Sequence, residues 1–276
     1  MLYTTDQMAA IFSRESHVRS ILRFEAALAT AQADTGVITL DTASTIAKAC
    51  ETALLDLDQL YRDAIPAGTL AIPVVKMLTR HAGEDAGPYV HWGATSQDAI
   101  DTATMLQIRG ALAVIDQRVV VLATHCQDLA EHHRRTLMIG RTLQQQAIPI
   151  TFGLKAARWM ALLCRQLRNL RHIRDRTLAI QFGGAVGTLA SLGQDGVRVQ
   201  QRLAEELQLA VPDLPWHTER DRIVEIASAI GLTAGCVQKI AGDLALMAQT
   251  EIGEISEQSG EGKGGSSTMP HKRNPV

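Results

Sequence analysis

The sequence has few aromatic residues, few cysteines and no excess of basic charge. Aromatic side chains make up 4% of its 276 residues, and alternating runs of β-branched residues are nearly absent, so the composition favours helices over sheets. A formal net charge of −2 argues against a protein that binds nucleic acid or a membrane surface, since such proteins usually carry a basic excess. The four cysteines lack CxxC spacing and indicate neither a zinc site nor a disulfide framework.

Segments that direct a protein to or across a membrane are also missing from the sequence. The N-terminal stretch MLYTTDQMAA contains no basic region followed by an apolar one, so no signal peptide is visible. No uninterrupted apolar run approaches the roughly 18 residues that a membrane-spanning helix needs. These absences predict a cytoplasmic protein with neither a membrane nor a nucleic-acid partner.

Apolar residues recur at alternating steps of four and three, a spacing typical of helices that pack in a bundle. One such seam lies within Ile100–Ala130 and another spans Ile223–Met247, while Phe152–Leu170 shows a looser helical spacing. The seams consist of Ile108, Leu112, Ile115, Val119, Leu122, Cys126 and Leu129, and of Ile223, Ile226, Ile230, Thr233, Val237, Ile240, Leu244 and Met247. We therefore predict three long helices, each of about 30 residues or about 45 Å.

The part of the chain before residue 99 has a different pattern. Its helical stretches (Met8–Thr35, Leu40–Arg62 and Ile72–His81) are shorter and are separated by glycine and proline. We predict an all-α protein with a small helical domain over residues 1–98 and a partial long-helix bundle over residues 99–276. Three helices with apolar seams need further helices to bury them, so we also expect the chain to be truncated.

Two familiar patterns occur without the context that would give them a function. Gly260–Gly265 fits the dinucleotide-binding string GxGxxG, but it follows a predicted helix rather than a strand. His132 and His133 stand near a predicted helix end without a second pair of metal ligands at zinc-site spacing. The first is interpreted as a loop and the second as a solvated basic helix end.

The final segment, Gly265–Pro275, reads GSSTMPHKRNP and closely resembles the signature loop of the fumarase/aspartase superfamily, GSSxMPxKxNP. Three further segments resemble motifs of the same superfamily, in the same order along the chain. His91–Asp98 (HWGATSQD) resembles the first conserved region, Gly140–Pro149 (GRTLQQQAIP) the second, and Gln181–Thr188 (QFGGAVGT) a further active-site loop. The chain is therefore identified as a member of this superfamily over nearly its whole length.

The resemblance implies a mostly helical protomer with an N-terminal domain, a central bundle of five helices and a C-terminal helical domain. On that template the chain supplies the first domain and three of the five bundle helices. The resemblance also implies a homotetramer in which each active site collects its motifs from three subunits. No metal or other cofactor is implied.

Members of the superfamily break or form a bond beside a carboxylate through a carbanion, which needs a base and groups that hold the enolate-like oxygens. By this resemblance Ser266 is the base, and Lys272 and Asn274 hold the reacting carboxylate. The residues implied in substrate binding are His91, Thr95, Ser96, Arg141, Thr142, Gln145, His217 and Arg220.

Within the superfamily, the string WHTERDR at Trp216–Arg222 resembles the branch that interconverts 3-carboxy-cis,cis-muconate and a lactone in the breakdown of aromatic compounds. Leu143 stands where the second motif normally has a histidine. A carboxylate leaving group has a conjugate acid of pKa near ~4 and departs without protonation, so this branch can dispense with an acid there. The resemblance thus implies a tricarboxylate substrate, and we expect Leu143 to occupy an apolar niche.

Three alternatives remain open. His217 or His91 could supply a proton in place of the missing histidine. The chain could instead be an adenylosuccinate lyase, a type of enzyme that shares the TSxD and SSTMPHK strings. Against this alternative, the chain lacks the Arg-Tyr pair that such a lyase carries near its N-terminus for nucleotide binding. It could also be a catalytically silent relative or a fragment, like the lens crystallins recruited from this superfamily.

Overall fold

The computed structural model describes residues 3–256, 264–265, 267–269, 271 and 274 of the chain. Over these residues the protein is mostly helical, with two strands that pair as one small antiparallel sheet. The predicted all-α class is confirmed. The two-stranded sheet was not predicted.

The first five helices are short, and polar side chains fix where several of them begin. They are α1 (Asp6–Ile11), α2 (Arg14–Asp34), α3 (Leu40–Thr52), α4 (Leu57–Ala67) and α5 (Ala71–Ala86). The side chains of Thr5, Ser13, Thr39 and Asp56 each accept a hydrogen bond from the backbone N–H three residues on, which satisfies a donor that the first helical turn leaves free. Gly68 ends α4 in the left-handed conformation with φ of 73°.

The remaining elements include the three long helices that the sequence predicted. They are α6 (Ser96–His132), strands β1 (Leu137–Thr142) and β2 (Gln145–Thr151), α7 (Phe152–Thr177), α8 (Gly196–Leu207) and α9 (Asp221–Met247). The longest, α6, has 37 residues and extends about 55 Å. Its bounds enclose the predicted segment Ile100–Ala130.

Part of each predicted seam is buried in this chain. On α9 the side chains of Ile226, Thr233, Ile240 and Met247 are buried, whereas Val237 and Leu244 are exposed. On α6 the side chains of Leu112, Val119 and Cys126 are buried. Val237 and Leu244 therefore form an apolar surface on α9 that the described residues leave partly uncovered.

The chain divides into two compact units. The first comprises residues 1–115 and 171–226, and the second comprises residues 116–170 and 227–276. In the first unit α2 packs against α3 and α8, and its core includes the fully buried rings of Phe24 and Phe182. The sequence-based division into residues 1–98 and 99–276 remains a prediction.

One helix in the described part of the chain, α9, is long and apolar enough to cross a membrane by length and composition. Its most apolar window has a mean hydropathy of 1.4, and 22% of that window is buried. A bundle helix carries the same kind of apolar surface, so this property alone is weak support for a membrane span.

Candidate active site

The first motif forms a tight turn that leads into α6. His91 and Gly93 both have a positive φ, of 61° and 76°, and Ser96 is the first residue of the helix. A side chain at position 93 would collide with Leu192, because a Cβ atom there would lie 2.8 Å from its Cγ. The turn places Thr95 and Ser96 at the N-terminus of the 37-residue helix, where helix dipole and free N–H groups favour an anion.

Asp98 joins this turn to the loop that begins at Gln181. The Asp98 side chain is fully buried, and its Oδ2 accepts hydrogen bonds from the backbone N–H groups of Thr95 at 3.0 Å and Gly184 at 2.9 Å. Its Oδ1 accepts from the Gln181 side-chain amide at 2.8 Å and from the Gly183 N–H at 3.2 Å. Four donors thus surround one carboxylate, which is how a buried charge is made stable.

The Gln181 side chain also fixes the proton on His217. Its Oε1 accepts the backbone N–H of Trp216 at 2.5 Å, so its Nε2 must face both Asp98 and Nδ1 of His217, the latter at 3.3 Å. An amide nitrogen only donates, so His217 Nδ1 accepts and the neutral ring carries its proton on Nε2. The structure therefore places His217 beside the first motif with a single available N–H.

Arg220 lies close to the same elements and is paired with a buried carboxylate. Its two terminal nitrogens donate to the two oxygens of Asp101 at 2.7 and 2.8 Å, and its guanidinium lies 5.4 Å from the centre of the Trp216 ring. Hydrogen bonding to Asp101 raises the pKa of Arg220, and this outweighs the opposing effect of burial. This bidentate pair uses two of the five N–H donors of the guanidinium.

His91 also pairs with a carboxylate. Its Nδ1 lies 2.6 Å from Oε1 of Glu25, a residue of α2 whose side chain is fully buried. Burial lowers the pKa of His91, but the charge and hydrogen bond of Glu25, together with the charge of Asp98, outweigh it and raise the pKa above its usual value.

In the second compact unit, the second motif forms the β1–β2 hairpin. Thr142 pairs with Gln145 across the sheet, and the two loop residues Leu143 and Gln144 have φ of 49° and 63°. Two consecutive positive φ values are typical of the type I′ turn, whose twist suits a hairpin. The Leu143 side chain is 95% exposed, so the expectation of an apolar niche around it is wrong for this chain: the residue stands at the tip of the hairpin.

Arg141, on β1, is also paired. Its two terminal nitrogens donate to the two oxygens of Glu254 at 2.9 Å each, and this hydrogen bonding raises the pKa of Arg141. Glu254 precedes the signature loop in the chain, so the ion pair ties the second motif to the approach to that loop. Within this unit, the hairpin, α7 and α9 line a cavity of about 560 Å³.

The predicted base Ser266 and the predicted carboxylate ligand Lys272 lie outside the described residues. Two hydrogen bonds join Asn274, near the end of the signature loop, to the glycines at its start. The Asn274 N–H donates to the Gly264 carbonyl at 2.9 Å, and its side-chain amide donates to the Gly265 carbonyl at 3.4 Å. Gly264 has φ of 65°, and a Cβ atom there would lie 2.7 Å from the Asn274 carbonyl, so only glycine fits.

Comparison with known proteins agrees with the motifs. The model of a family described as lyase matches residues 2–276. The chain belongs to this lyase family. The predicted membership of the fumarase/aspartase superfamily is thereby confirmed.

Individual relatives of this lyase family add detail. A protein of Bradyrhizobium diazoefficiens named 3-carboxy-cis,cis-muconate cycloisomerase is 51% identical, over 98% of this chain and 60% of its own length. The crystal structure of the 3-carboxy-cis,cis-muconate lactonizing enzyme from Pseudomonas putida has a TM-score of 0.91 and 43% identity, covering 99% of this chain and 61% of that one. A protein of Dickeya dadantii named N-acetyl-S-(2-succino)cysteine lyase is 40% identical over 99% of this chain and 60% of its own length. The chain thus spans about three fifths of the length of these relatives.

The structure brings together part of the predicted set of site residues. His91, Thr95, Ser96, His217 and Arg220 lie in the first compact unit, where the hydrogen bonds of Asp98 and Gln181 link their segments. Arg141, Thr142, Gln145 and Asn274 lie in the second unit. Their roles in binding and catalysis remain predictions.

Sequence reasoning missed the residues that hold these groups in place. Asp98 and Gln181 lie inside quoted motifs, and a carboxylate three residues after Thr95 is a signal for a helix start that could have been used. Glu25, Asp101 and Glu254 had no such signal, since each partner is far away in the sequence. In the described part of the chain, no cluster of three or more His, Cys, Asp and Glu side chains could hold a metal ion.

Proposed function

We propose that the chain carries a large part of the active site of a 3-carboxy-cis,cis-muconate cycloisomerase, which interconverts this tricarboxylate and a carboxymuconolactone. The observation that carries the proposal is Leu143 at the tip of the hairpin, where the second motif of the superfamily normally has a histidine. The name of the relative with 51% identity over 98% of the chain supports it.

The proposed reaction needs a base but no acid at position 143. In the lactone-opening direction Ser266 removes the proton from the carbon beside a carboxylate. The ring C–O bond then breaks, and its electron pair leaves on the oxygen of the carboxylate that is released. That carboxylate is stable as an anion at neutral pH. Lactonization is the reverse: the carboxylate oxygen adds to the double bond, and the neighbouring carbon takes up the proton.

Groups at the first motif are suited to bind the carboxylates of the substrate. Thr95 and Ser96 combine hydroxyl donors with the N-terminus of α6, and His91 adds a ring whose pKa is raised. Lys272 and Asn274 are proposed to hold the reacting carboxylate, where charge accumulates in the transition state. Arg141, Thr142, Gln145 and Arg220 complete the proposed binding set.

His217 offers a second route for a proton, which its hydrogen bond to Gln181 favours. Its Nε2–H is left for a ligand because Gln181 occupies Nδ1. Should a reaction of this site need an acid, as release of a nitrogen or sulfur leaving group would, His217 is the group for it. This keeps a C–N or C–S lyase, of the adenylosuccinate or succinocysteine type, as the second candidate.

We further propose that the complete protein is a cytoplasmic homotetramer whose active sites are shared between subunits. The exposed members of the α9 seam, such as Val237 and Leu244, support this assembly because they form an apolar surface suited to other helices.

The test is a comparison of substrates with the protein at the full length of its relatives. Turnover of 3-carboxy-cis,cis-muconate, adenylosuccinate and N-acetyl-S-(2-succino)cysteine is followed by ultraviolet absorbance. We expect kcat/KM for the muconate to exceed that for the other two at least a thousandfold. Faster turnover of either of the other substrates would replace the proposed function with the corresponding lyase activity.

A further inference from the structure

A buried carboxylate lies behind His91, outside every motif found in the sequence. Glu25 is on α2, its side chain has no exposed surface, and its Oε1 lies 2.6 Å from Nδ1 of His91. Its other oxygen, Oε2, is buried without a hydrogen-bond partner among the described residues. An ionised carboxylate is costly to bury unless it is paired. The contact with His91 therefore lowers the free-energy cost of burying Glu25.

The backbone of this turn is held in a conformation that is unfavourable for histidine. His91 has φ of 61°, and a left-handed residue other than glycine costs about 1 kcal/mol. Gln32, two turns after Glu25 on α2, donates to the Trp92 carbonyl at 2.7 Å. Helix α2 therefore holds the turn in place through contacts with two consecutive residues, His91 and Trp92. Backbone strain that the surrounding structure holds in this way is characteristic of functional sites.

One of the two ring nitrogens of His91 is available to bind a ligand. Nδ1 is tied to Glu25, whereas Nε2 makes no hydrogen bond to any described residue, and 16% of the side-chain surface is exposed. We propose that Glu25 is a positioning residue that fixes the orientation of His91 and keeps its ring protonated, so that the Nε2–H binds a carboxylate of the substrate. The proposal rests on the proposed function for the identity of that substrate.

The charges around the ring determine when Nε2 carries a proton. Two carboxylates face His91, Glu25 from α2 and Asp98 from α6. Cys50 of α3, which interacts with Glu25, is neutral because burial and the charge of Glu25 raise its pKa to about 12. The raised pKa of His91 means that the imidazolium persists to a higher pH than in a free histidine, and is lost as the pH rises through that value.

The first test follows His91 directly. Glu25→Gln keeps an oxygen that can accept the Nδ1 proton but removes the charge, and Glu15→Gln, an exposed glutamate of the same helix, is the matched control. NMR titration of the full-length protein labelled at histidine Cε1, with the signal assigned by its loss in His91→Gln, should show a lower pKa of His91 in Glu25→Gln alone. An unchanged titration would overturn the proposal.

The second test uses kinetics. In Glu25→Gln we expect KM for the muconate at pH 8 to rise about tenfold with kcat within about threefold, and the alkaline limb of kcat/KM to move to lower pH. In a His91→Gln background the same change should have no further effect on KM. Equal losses in both backgrounds, or a pH-independent loss, would indicate a merely structural role and overturn the proposal.

The two tests separate this proposal from the proposed function. If the wild type turned over none of the three substrates, the proposed function would fail. The titration of His91 needs no substrate, so it would still decide whether Glu25 controls the charge of the ring.

Discussion

Replacing Asp98 with asparagine tests how the first motif is joined to the loop that begins at Gln181. The carboxylate accepts four hydrogen bonds, two on each oxygen. Asparagine retains one oxygen and places an NH₂ group where the other stood. Two of the four donors then face another donor, whichever way the amide is turned. If the amide nitrogen takes the Oδ2 position, these are the N–H groups of Thr95 and Gly184.

The expected cost follows from these two donors. A buried donor left without a partner costs about 1–3 kcal/mol, so two of them in a fully buried place should lower the free energy of unfolding by about 3–5 kcal/mol. Removal of the charge partly offsets this, because a neutral amide is easier to bury than a carboxylate. Since domains are typically stable by about 5–15 kcal/mol, we expect Asp98→Asn to fold but to melt at a clearly lower temperature.

Urea and thermal denaturation, with circular dichroism as the signal, measure this difference. Asp63→Asn is the matched control, since Asp63 is exposed on α4 and accepts a hydrogen bond that asparagine can also accept. The control should stay within about 0.5 kcal/mol of the wild type. If Asp98→Asn is no less stable than Asp63→Asn, the reasoning about the four hydrogen bonds is refuted.

The remaining predictions concern the proposed base and the hairpin tip. Ser266→Ala should lower kcat by several orders of magnitude with KM near normal, and activity within about tenfold of wild type would show that another residue is the base. Leu143→His should leave the muconate activity no higher and confer no adenylosuccinate cleavage, and a gain in either assay would contradict the view that position 143 needs no acid. Replacing Leu143 and Gln144 with Asn-Gly, the pair that type I′ turns prefer, should stabilise the chain by about 1 kcal/mol in thermal unfolding, whereas an unchanged melting temperature would contradict the assigned turn.

The sequence predicted the long helices well because their signal is local and repeated. The predicted segment Ile100–Ala130 gave α6 (Ser96–His132) to within four residues at its start and two at its end, and the seam Ile223–Met247 gave α9 (Asp221–Met247) to within two. Two members of the α9 seam, Val237 and Leu244, are nonetheless exposed. Periodicity shows which residues share a helix face, but not whether a partner covers that face.

The β1–β2 hairpin was missed for a different reason. Its second motif was interpreted through family resemblance, and its polar centre, Thr142–Gln146, lacks the alternation of apolar residues that indicates a strand. Two positive φ values at Leu143 and Gln144 are unusual for these residue types, so no turn signal such as Asn-Gly was present. The paired geometry of the backbone, rather than residue preference, determines the local structure there.

Among the described residues, three groups predicted to bind the substrate are paired with carboxylates of the same chain. Glu25, Asp101 and Glu254 partner His91, Arg220 and Arg141 respectively, and no sequence pattern reveals such long-range pairs. For the roles proposed here, the pairs with Asp101 and Glu254 contribute orientation, and Glu25 in addition favours the charged form of His91. An arginine held by a carboxylate keeps its other N–H donors pointing in fixed directions, and donors that need not reorganise stabilise developing charge most effectively. The number of cations alone therefore does not determine how a site of this kind binds a tricarboxylate. What matters is which donors remain after the internal pairs are made.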